Sequence, residues 1–538
     1  THGEPSDVTS HPHTSQSGRI SVVHNGIIEN YQYIRTYLKS KGYEFCTETD
    51  TEVIPNLIDY YYKGNLLHAV TKAVSRMTGG YALGVLVRDE PNKIVAVRKD
   101  SPLIVGESDK GGFIASDVSA LLPYTRTVYY LKDHEFAVIS RDKVEFTTSD
   151  GEPIQKESST VTWSVDAAEK SGYEHFMLKE IHEQPKVIKD TMTSRITADE
   201  PVKIDGLNLT EDQIKKLERI FIVACGTAFH AGVVGKSIIE KMTGIPIETD
   251  IASEFRYRDP IIKENTLMIV ISQSGETLDT LVALREAKNK GAATLAVANV
   301  VGSTITREAD SVLYTWAGPE IAVASTKAYT TQLIVLATIG LYFAQVRGTM
   351  PADEIEKVKT EMLLLPEKAE SVLAMKDTLQ KFASQTYNHH DMFYLGRGLD
   401  YALAMEGALK LKEISYIHTE SYAGGELKHG TIALIENGTV VIAMATQERL
   451  REKMLSNIVE VTSRGANVLG FTMRRENGES DPRVENVVDA VFEIPWTDSY
   501  LVPVLAIIPL QLFAYYVAVL RGCDVDKPRN LAKSVTVE

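Results

Sequence analysis

The most constraining feature of the sequence is a repeated order of buried strand, glycine-containing turn and helix. Its first copy has apolar strands at residues 220–224, 266–271 and 293–298, with a helix at residues 277–290. Strands without polar alternation, separated by amphipathic helices, are typical of a parallel sheet covered on both faces. The pattern therefore predicts a doubly wound α/β domain.

The same order returns further along the chain. Strands at residues 392–395, 439–443 and 467–471 accompany a helix at residues 447–464. Internal repetition of one supersecondary order indicates tandem domains of similar design. We therefore predict two α/β domains, joined by a helical segment at residues 350–383.

The first 165 residues have a different character. Short β-branched and aromatic runs at residues 20–24, 81–87, 94–97 and 136–139 predict antiparallel strands, and residues 52–62 predict one helix. The dipeptide Asn25-Gly26 predicts a type I′ turn. Residues 165–195 are charged and polar, which is typical of a linker entering a helix.

Composition excludes several classes of function. The net charge is −15 and no basic run is present, so a nucleic-acid partner is disfavoured. The three cysteines, Cys46, Cys225 and Cys523, form no CxxC pair, which predicts a reducing, cytoplasmic location. His11 and His13 have no third ligand at a usual spacing, so we predict no metal site and no cofactor.

The apolar segment 501–520 is long enough to cross a membrane. Pro503, Pro509 and Gln511 interrupt it, and no second segment of this kind is evident. A helix buried in a large core is therefore the preferred interpretation, with a membrane span as the alternative.

The serine turn, Ser272–Thr277, follows a predicted strand and opens a predicted helix. Unpaired backbone N–H groups and the helix dipole favour a phosphate there. Ordinary helix capping by Ser274 explains the same residues. The residues alone leave both interpretations open.

Three further stretches carry reactive side chains. Cys225-Gly226-Thr227 ends a strand of the same sheet, and we treat Cys225 as a small buried side chain. Glu406, Lys410 and Glu413 share helical spacing, as in many ion pairs on solvated helix faces. His429 in a glycine-flanked loop and Lys533 near the C-terminus are candidates for proton transfer and Schiff-base formation.

These residues stand in motifs that resemble the isomerising glutamine–fructose-6-phosphate aminotransferase family, the glucosamine-6-phosphate synthases. The resemblance covers nearly the whole chain and is carried by the strings THGEPS, VHNGIIEN, TETDTEV, ACGT, ASEFRYR, SQSGETLDT, VASTKAYTTQ, EGALKLKEISYIH, GELKHG and PRNLAKSVTVE. It implies a multidomain α/β protein. Residues 1–165 would be a partial, N-terminal-nucleophile-type α+β glutamine amidotransferase domain and residues 166–195 a linker. Residues 196–350 and 351–538 would be two doubly wound sugar isomerase (SIS) domains, the second with a C-terminal active-site tail.

The resemblance also assigns the candidate site residues. The predicted catalytic residues are Glu413, His429, Lys533 and Lys410. The predicted sugar-phosphate ligands are Thr227, Ser272, Gln273, Ser274, Thr277, Val323, Ser325 and Ala532. The predicted glutamine contacts are Thr1, His2, Asn25, Gly26 and Asp50. His429 would open the sugar ring, Lys533 would form the Schiff base at C2, and Glu413 would move a proton between C1 and C2.

The family implies conversion of fructose 6-phosphate and glutamine into glucosamine 6-phosphate and glutamate, in a homodimer with a shared active site. The family's cysteine nucleophile precedes Thr1, so we expect a partial glutaminase domain that is inactive in this fragment. Ala228 replaces a serine of many relatives, which puts one sugar contact in question. The alternatives are a phosphosugar isomerase or a phosphosugar-binding regulatory module without glutaminase activity.

Overall fold

The computed structural model describes residues 6–161 and 169–535. The chain divides into two compact units, one built chiefly from residues 1–168 and the other from residues 169–275 and 279–534.

In its described residues, the first unit contains antiparallel strands and three α-helices. The strands are β1 His13–Thr14, β2 Ile20–Gly26, β3 Tyr81–Val87, β4 Lys93–Lys99, β5 Ile104–Ser108, β6 Gly111–Ala115, β7 Thr127–Tyr130, β8 Phe136–Ser140, β9 Val144–Thr147, β10 Pro153–Ile154 and β11 Ser159–Thr160. The helices are α1 Tyr31–Lys39, α2 Val53–Tyr61 and α3 Leu66–Val74. The strands form a seven-stranded sheet, β1-β2-β3-β4-β8-β9-β10, and a four-stranded sheet, β11-β7-β5-β6.

The alternation of side chains along these strands produces two apolar layers. Ile20 and Val22 of β2 pack with apolar residues of α1, α2 and α3. On the opposite face, Ala96 of β4 packs with Val105 of the smaller sheet. The helices therefore cover one face of the larger sheet and the smaller sheet covers the other, as the predicted stacked antiparallel sheets require.

The second unit contains two parallel sheets. The strands of the first are β12 Arg219–Ala224, β13 Ile247–Ile251, β14 Thr266–Ser272, β15 Ala293–Ala298 and β16 Ser311–Tyr314. Those of the second are β17 Asp391–Gly396, β18 His418–Ala423, β19 Val440–Ala445, β20 Asn467–Met473 and β21 Ala490–Ile494. The spatial orders are β13-β12-β14-β15-β16 and β18-β17-β19-β20-β21. The two orders are identical, which confirms the predicted tandem α/β design.

The remaining helices precede, connect or follow these strands. They are α4 Phe176–His182, α5 Gln184–Met192, α6 Glu211–Lys216, α7 Gly226–Thr243, α8 Ala252–Phe255, α9 Leu278–Asn289, α10 Thr304–Glu308, α11 Lys327–Arg347, α12 Ala352–Ala374, α13 Asp377–Thr386, α14 Leu399–Ser415, α15 Arg451–Thr462, α16 Pro482–Glu485 and α17 Val502–Leu520. One continuous apolar cluster joins residues from both parallel sheets and their helices.

The segment predicted as a linker carries two helices. α4 packs against α17, and α5 packs against α11 and α12. Met177 and Ile181 of α4 belong to the core cluster, as do Ile188 and Met192 of α5. This polar-looking segment therefore contributes apolar side chains to the second unit.

Helix α17 corresponds to the apolar segment 501–520. Both α17 and α11 are long and apolar enough to cross a membrane, so the expectation that no second segment of this kind is present is wrong. However, 89% of the most apolar window of α17 and 83% of that of α11 are buried inside the protein. This burial agrees with the preferred interpretation of α17 as a core helix.

Candidate active site

The serine turn lies at the switch point of the first parallel sheet. In this strand order, the connections from β12 and β14 leave in opposite directions, and ligands of such sheets bind at the carboxyl ends of those strands. Ser272 is the last residue of β14, and Thr227 lies in the first turn of α7, which follows β12. The topology therefore brings two predicted ligand segments to one edge of the sheet.

Internal hydrogen bonds shape the serine turn. The Gly275 N–H donates to Ser272 Oγ over 3.0 Å. Ser274 Oγ lies 2.9 Å from the hydroxyl of Ser534, so the C-terminal segment contacts the turn. The backbone carbonyl of Gln273 accepts from the Asn299 N–H over 3.1 Å. Thr277 directly precedes α9, so the predicted helix start is confirmed within one residue.

Gly275 is the most constrained residue of this turn. Its φ is +66°, and a Cβ placed there would lie 1.9 Å from Ser303 Oγ and 2.6 Å from Ser303 Cβ. We expect Gly275→Ala to displace the turn and to raise the KM for a phosphosugar about tenfold, which corresponds to about 1.4 kcal/mol of lost binding. Steady-state kinetics with fructose 6-phosphate measures this change.

Gly244→Ala is the matched control for Gly275→Ala. Gly244 has nearly the same φ, +67°, but no atom lies within 4 Å of its added Cβ. Both variants therefore carry the cost of a left-handed backbone, about 1–2 kcal/mol, and only Gly275→Ala adds a steric clash. Equal KM values in the two variants would contradict a role for the serine turn in binding.

A buried ionic group lies beside Thr227. Lys410 Nζ is 2.5 Å from Glu413 Oε2 and 3.4 Å from Glu406 Oε1, and it donates to Thr227 Oγ1 over 2.9 Å. The side chains of Lys410 and Glu406 are fully buried, while that of Glu413 is 21% exposed. For Glu406 and Lys410, the solvated helix face suggested by spacing is therefore wrong, because α14 turns this stripe towards α7 and α17.

The electrostatics of this group keep Lys410 charged. Burial lowers the pKa of Lys410, but the carboxylates of Glu413 and Glu406 outweigh that effect and raise it overall. Glu320 also contributes to raising the pKa of Lys410. Glu413 accepts a hydrogen bond from the charged Lys410, and its partly exposed side chain is placed where it could transfer a proton.

Lys533 lies in a second ionic group. Its Nζ donates to Glu320 Oε2 over 2.6 Å and to the Ala322 carbonyl over 2.8 Å. The side chain of Glu320 is fully buried, whereas that of Lys533 is 22% exposed. The Lys533 amine is thus oriented by two hydrogen-bond acceptors and remains partly exposed. An amine in such a position is suited to react with a carbonyl group.

Glu320 was not identified from the sequence. Besides Lys533, it accepts hydrogen bonds from Ser325 Oγ over 2.9 Å, from the Thr326 N–H over 2.9 Å and from the Ala328 N–H over 3.0 Å. Burial opposes its ionisation, but Lys533 and these N–H donors lower the pKa of Glu320 to about 2. Glu320 is thus a permanent anion opposite the Lys533 amine.

Other predicted sugar contacts lie in the same loop or in the C-terminal segment. Val323 donates its N–H to the Asp526 carbonyl over 2.9 Å, which links the loop to the start of that segment. Ala532 is exposed and precedes Lys533. His230, also missed from the sequence, places Nδ1 2.8 Å from Glu406 Oε2.

The structure also describes His429, a predicted catalytic residue, and Cys225, which was predicted to be a small buried side chain. His429 is exposed on a short 3-10 helix, and no hydrogen bond joins it to Glu413 or Lys533 among the residues that the structure describes. Cys225 is partly buried, and burial raises the pKa of its thiol, in agreement with its treatment as a small buried side chain.

The predicted glutamine contacts lie in the first unit. Asn25 and Gly26 end β2 and pair with Ala82 and Tyr81, so the predicted type I′ turn is wrong. Gly26 has a φ of +143°, and an added Cβ would lie 2.1 Å from the Gly80 carbonyl, which explains the glycine. Thr1 and His2 lie outside the described residues.

Asp50 is buried in the same unit and accepts a hydrogen bond from the Ile28 N–H over 2.8 Å, two residues beyond Gly26. Neighbouring His24 is buried as well. Burial lowers the pKa of His24 to about 4 and outweighs the opposing effect of the Asp50 carboxylate, while His11 and His13 make smaller contributions that also lower this pKa. His24 is therefore neutral at pH 7, and its Nδ1 lies 2.9 Å from Thr51 Oγ1.

Comparisons with known proteins agree with this architecture. The glutamine amidotransferase domain family matches residues 6–123, and the SIS domain family matches residues 213–341 and 386–521. A glutamine–fructose-6-phosphate aminotransferase (isomerising) of Clostridium acetobutylicum is 66% identical over 538 residues, covering 100% of this chain and 88% of the relative. The chain belongs to the glutamine–fructose-6-phosphate aminotransferase family.

More distant members of the aminotransferase family support the same conclusion. The Thermus thermophilus relative is 46% identical over 538 residues and is covered to 88% of its length. The solved C-terminal domain of the Francisella tularensis aminotransferase is 38% identical, with a TM-score of 0.63. The match covers 67% of this chain and 100% of that domain. Since relatives named as aminotransferases match the whole chain, the isomerase-only and regulatory alternatives are not favoured.

One expectation about the amidotransferase domain is not supported. The match to that domain begins at residue 6, which gives no support to the view that its first part is missing.

Proposed function

We propose that this chain converts fructose 6-phosphate and glutamine into glucosamine 6-phosphate and glutamate. The observation that carries the proposal is the Lys533 amine, held by Glu320 and Ala322 in the unit that also contains the Thr227–Lys410–Glu413 group. These are the groups that amine addition to a ketose and proton transfer between neighbouring carbons require.

The sugar is proposed to bind with its phosphate on the serine turn. Thr227, Val323, Ser325 and Ala532 would line the sugar, and Ser272, Gln273, Ser274 and Thr277 would hold the phosphate. The position of the serine turn at the switch point supports this placement.

The proposed reaction consists of ring opening, imine formation with Lys533, replacement of Lys533 by ammonia, and proton transfer between C1 and C2. His429 assists ring opening, and the Lys533 amine adds to the C2 carbonyl with loss of water. Ammonia then adds to C2 and displaces the Lys533 amine, which leaves an imine at C2. Glu413, assisted by Lys410, removes a proton from C1 and returns it to C2. The C1 hydroxyl loses its proton as the aldehyde forms, and the nitrogen on C2 gains one, which yields the 2-amino aldose.

Ammonia is proposed to come from glutamine in the first unit, a glutaminase of the N-terminal-nucleophile class. Thr1, His2, Asn25, Gly26 and Asp50 would contact glutamine, with Asn25 and Gly26 stabilising the oxyanion. The tight approach of Gly26 to the backbone of Gly80 and the burial of Asp50 support a preorganised site.

The domain organisation is proposed as residues 1–165 for the amidotransferase, 166–195 for the linker, and 196–350 and 351–538 for the two SIS domains. A cytoplasmic homodimer is proposed as the working form, in which His429 of the partner subunit completes each sugar site. The exposure of His429 and the free cysteines support these assignments.

The test supplies fructose 6-phosphate with either glutamine or ammonium and measures glucosamine 6-phosphate by mass spectrometry. Ammonium makes the sugar reaction independent of the glutaminase reaction, and glutamate release reports the latter separately. We expect glucosamine 6-phosphate with ammonium. Binding of fructose 6-phosphate without any product would instead indicate a phosphosugar-binding module and would overturn the proposal.

A further inference from the structure

Glu180 has no role in the proposed chemistry, yet it lies against the loop that holds Lys533. It is on α4 and is 2% exposed. Its Oε1 accepts the Ile321 N–H over 2.5 Å and the Ala322 N–H over 3.3 Å. The two acceptors of the Lys533 amine, the Glu320 carboxylate and the Ala322 carbonyl, belong to this same three-residue stretch.

In this arrangement, one side chain holds the backbone of the loop that carries both acceptors. An N–H group fixed by a buried carboxyl also fixes the peptide plane to which it belongs. The Ile321 N–H lies in the peptide that joins Glu320 to Ile321, and the Ala322 N–H lies in the peptide that joins Ile321 to Ala322. Glu180 therefore fixes the backbone between the residue that carries the carboxylate acceptor and the residue that carries the carbonyl acceptor. Loss of the Glu180 carboxyl would leave two buried N–H groups without this acceptor, and the loop would have to move to satisfy them.

We propose that Glu180 is a positioning residue for the Lys533 amine, which it orients by holding the backbone of Ile321 and Ala322. The inference rests on the proposed function. It adds Glu180, on a helix that precedes the first strand of both parallel sheets, to the residues that determine the reactivity of Lys533.

The surroundings of Glu180 favour a neutral carboxylic acid. Burial and the neighbouring Glu320 carboxylate raise the pKa of Glu180 to about 8, against the opposing effects of Lys533, Lys327 and the Ile321 N–H. On its own helix, Lys179 lies 3.5 Å from Glu183, the residue that follows α4, and Lys327 of α11 lies 2.6 Å from Glu183. Glu180 Oε2 is buried and has no hydrogen-bond partner in the described part of the chain.

A neutral Glu180 leaves one negative charge, that of Glu320, beside the Lys533 amine. Ionisation of Glu180 as the pH rises through about 8 would add a second negative charge and would stabilise the ammonium form of Lys533. An ammonium has no lone pair for attack on C2. If the reaction requires the neutral Lys533 amine, ionised Glu180 should therefore lower kcat at alkaline pH.

The experiment compares Glu180→Ala and Glu180→Gln with fructose 6-phosphate and saturating ammonia. We expect Glu180→Ala to lower kcat at least about tenfold and to leave the KM for fructose 6-phosphate within about threefold, because the serine turn is untouched. Glu180→Gln keeps an amide oxygen for the same two N–H groups, so its kcat at pH 7 should stay within about threefold of the unsubstituted chain.

The pH profile distinguishes positioning by a neutral acid from a merely structural role. The ratio of kcat in Glu180→Gln to kcat in the unsubstituted chain should rise about tenfold between pH 7 and pH 9, since glutamine does not ionise. Glu174→Gln, at an exposed residue just before α4, is the control and should leave this ratio near one.

Three outcomes are decisive. An unchanged kcat in Glu180→Ala would overturn the inference and leave the proposed function intact. If Glu180→Ala does not fold, Glu180→Gln decides alone, and a pH profile identical to that of the unsubstituted chain would overturn the inference. Absence of product from the unsubstituted chain would overturn the proposed function and, with it, this inference.

Discussion

Replacement of Lys533 by arginine is expected to lower kcat for glucosamine 6-phosphate formation by at least about a thousandfold, within the range seen when a covalent nucleophile is removed. A guanidinium can keep the ion pair with the buried Glu320 carboxylate, so the loop should remain folded. It stays protonated in proteins and offers no amine for addition to C2. The assay is steady-state product formation with ammonium as the nitrogen source.

Lys527→Met provides the control for Lys533→Arg. Lys527 lies in the same C-terminal segment and is exposed, so its loss should change kcat by less than about twofold. A thermal unfolding transition equal to that of the unsubstituted chain should accompany Lys533→Arg. Retention of more than a tenth of the activity by folded Lys533→Arg would contradict the assignment of the amine.

Replacement of Glu413 by glutamine is expected to lower kcat by about 10²–10⁴-fold, the usual contribution of a positioned proton-transfer group. The amide keeps an oxygen for Lys410 Nζ, which now lies 2.5 Å from Glu413 Oε2. The KM for fructose 6-phosphate should change little, because Glu413 is proposed to act on C1 and C2 and not on the phosphate. Exchange of the C1 hydrogen of fructose 6-phosphate with deuterium oxide, followed by mass spectrometry, isolates this step.

Glu485→Gln is the matched control for Glu413→Gln. It makes the same chemical change at an exposed position on α16 of the same unit. We expect normal C1 exchange in Glu485→Gln and strongly reduced exchange in Glu413→Gln. Equal exchange in both variants would remove Glu413 from the proposed mechanism.

The elements of the second unit were predictable because local pattern determines them. The predicted strand at residues 293–298 has the bounds of β15, and the predicted strand at 266–271 is one residue shorter than β14. Buried parallel strands are short continuous apolar runs, and their length, their β-branched residues and the turns that follow them distinguish them from buried helices. The predicted helix at 447–464 starts too early, because a 3-10 turn precedes α15.

Tertiary contacts account for the features that the sequence did not reveal. Asn25-Gly26 has strong turn chemistry, but pairing with β3 holds both residues in a strand. Glu320 lies in a loop without regular periodicity, and its importance is visible only when Lys533, more than two hundred residues later, contacts it. Glu406 and Lys410 have ordinary helical spacing, and only the packing of α14 against α7 and α17 buries them.

The Lys533 amine is proposed to form an imine with C2 of a phosphosugar. Reduction with borohydride in the presence of fructose 6-phosphate converts such an imine into a stable secondary amine, which peptide mass spectrometry locates. We expect a reduced hexose phosphate on the C-terminal peptide, attached at Lys533. An adduct on another lysine, such as Lys410, or no adduct in a chain that makes glucosamine 6-phosphate, would contradict it.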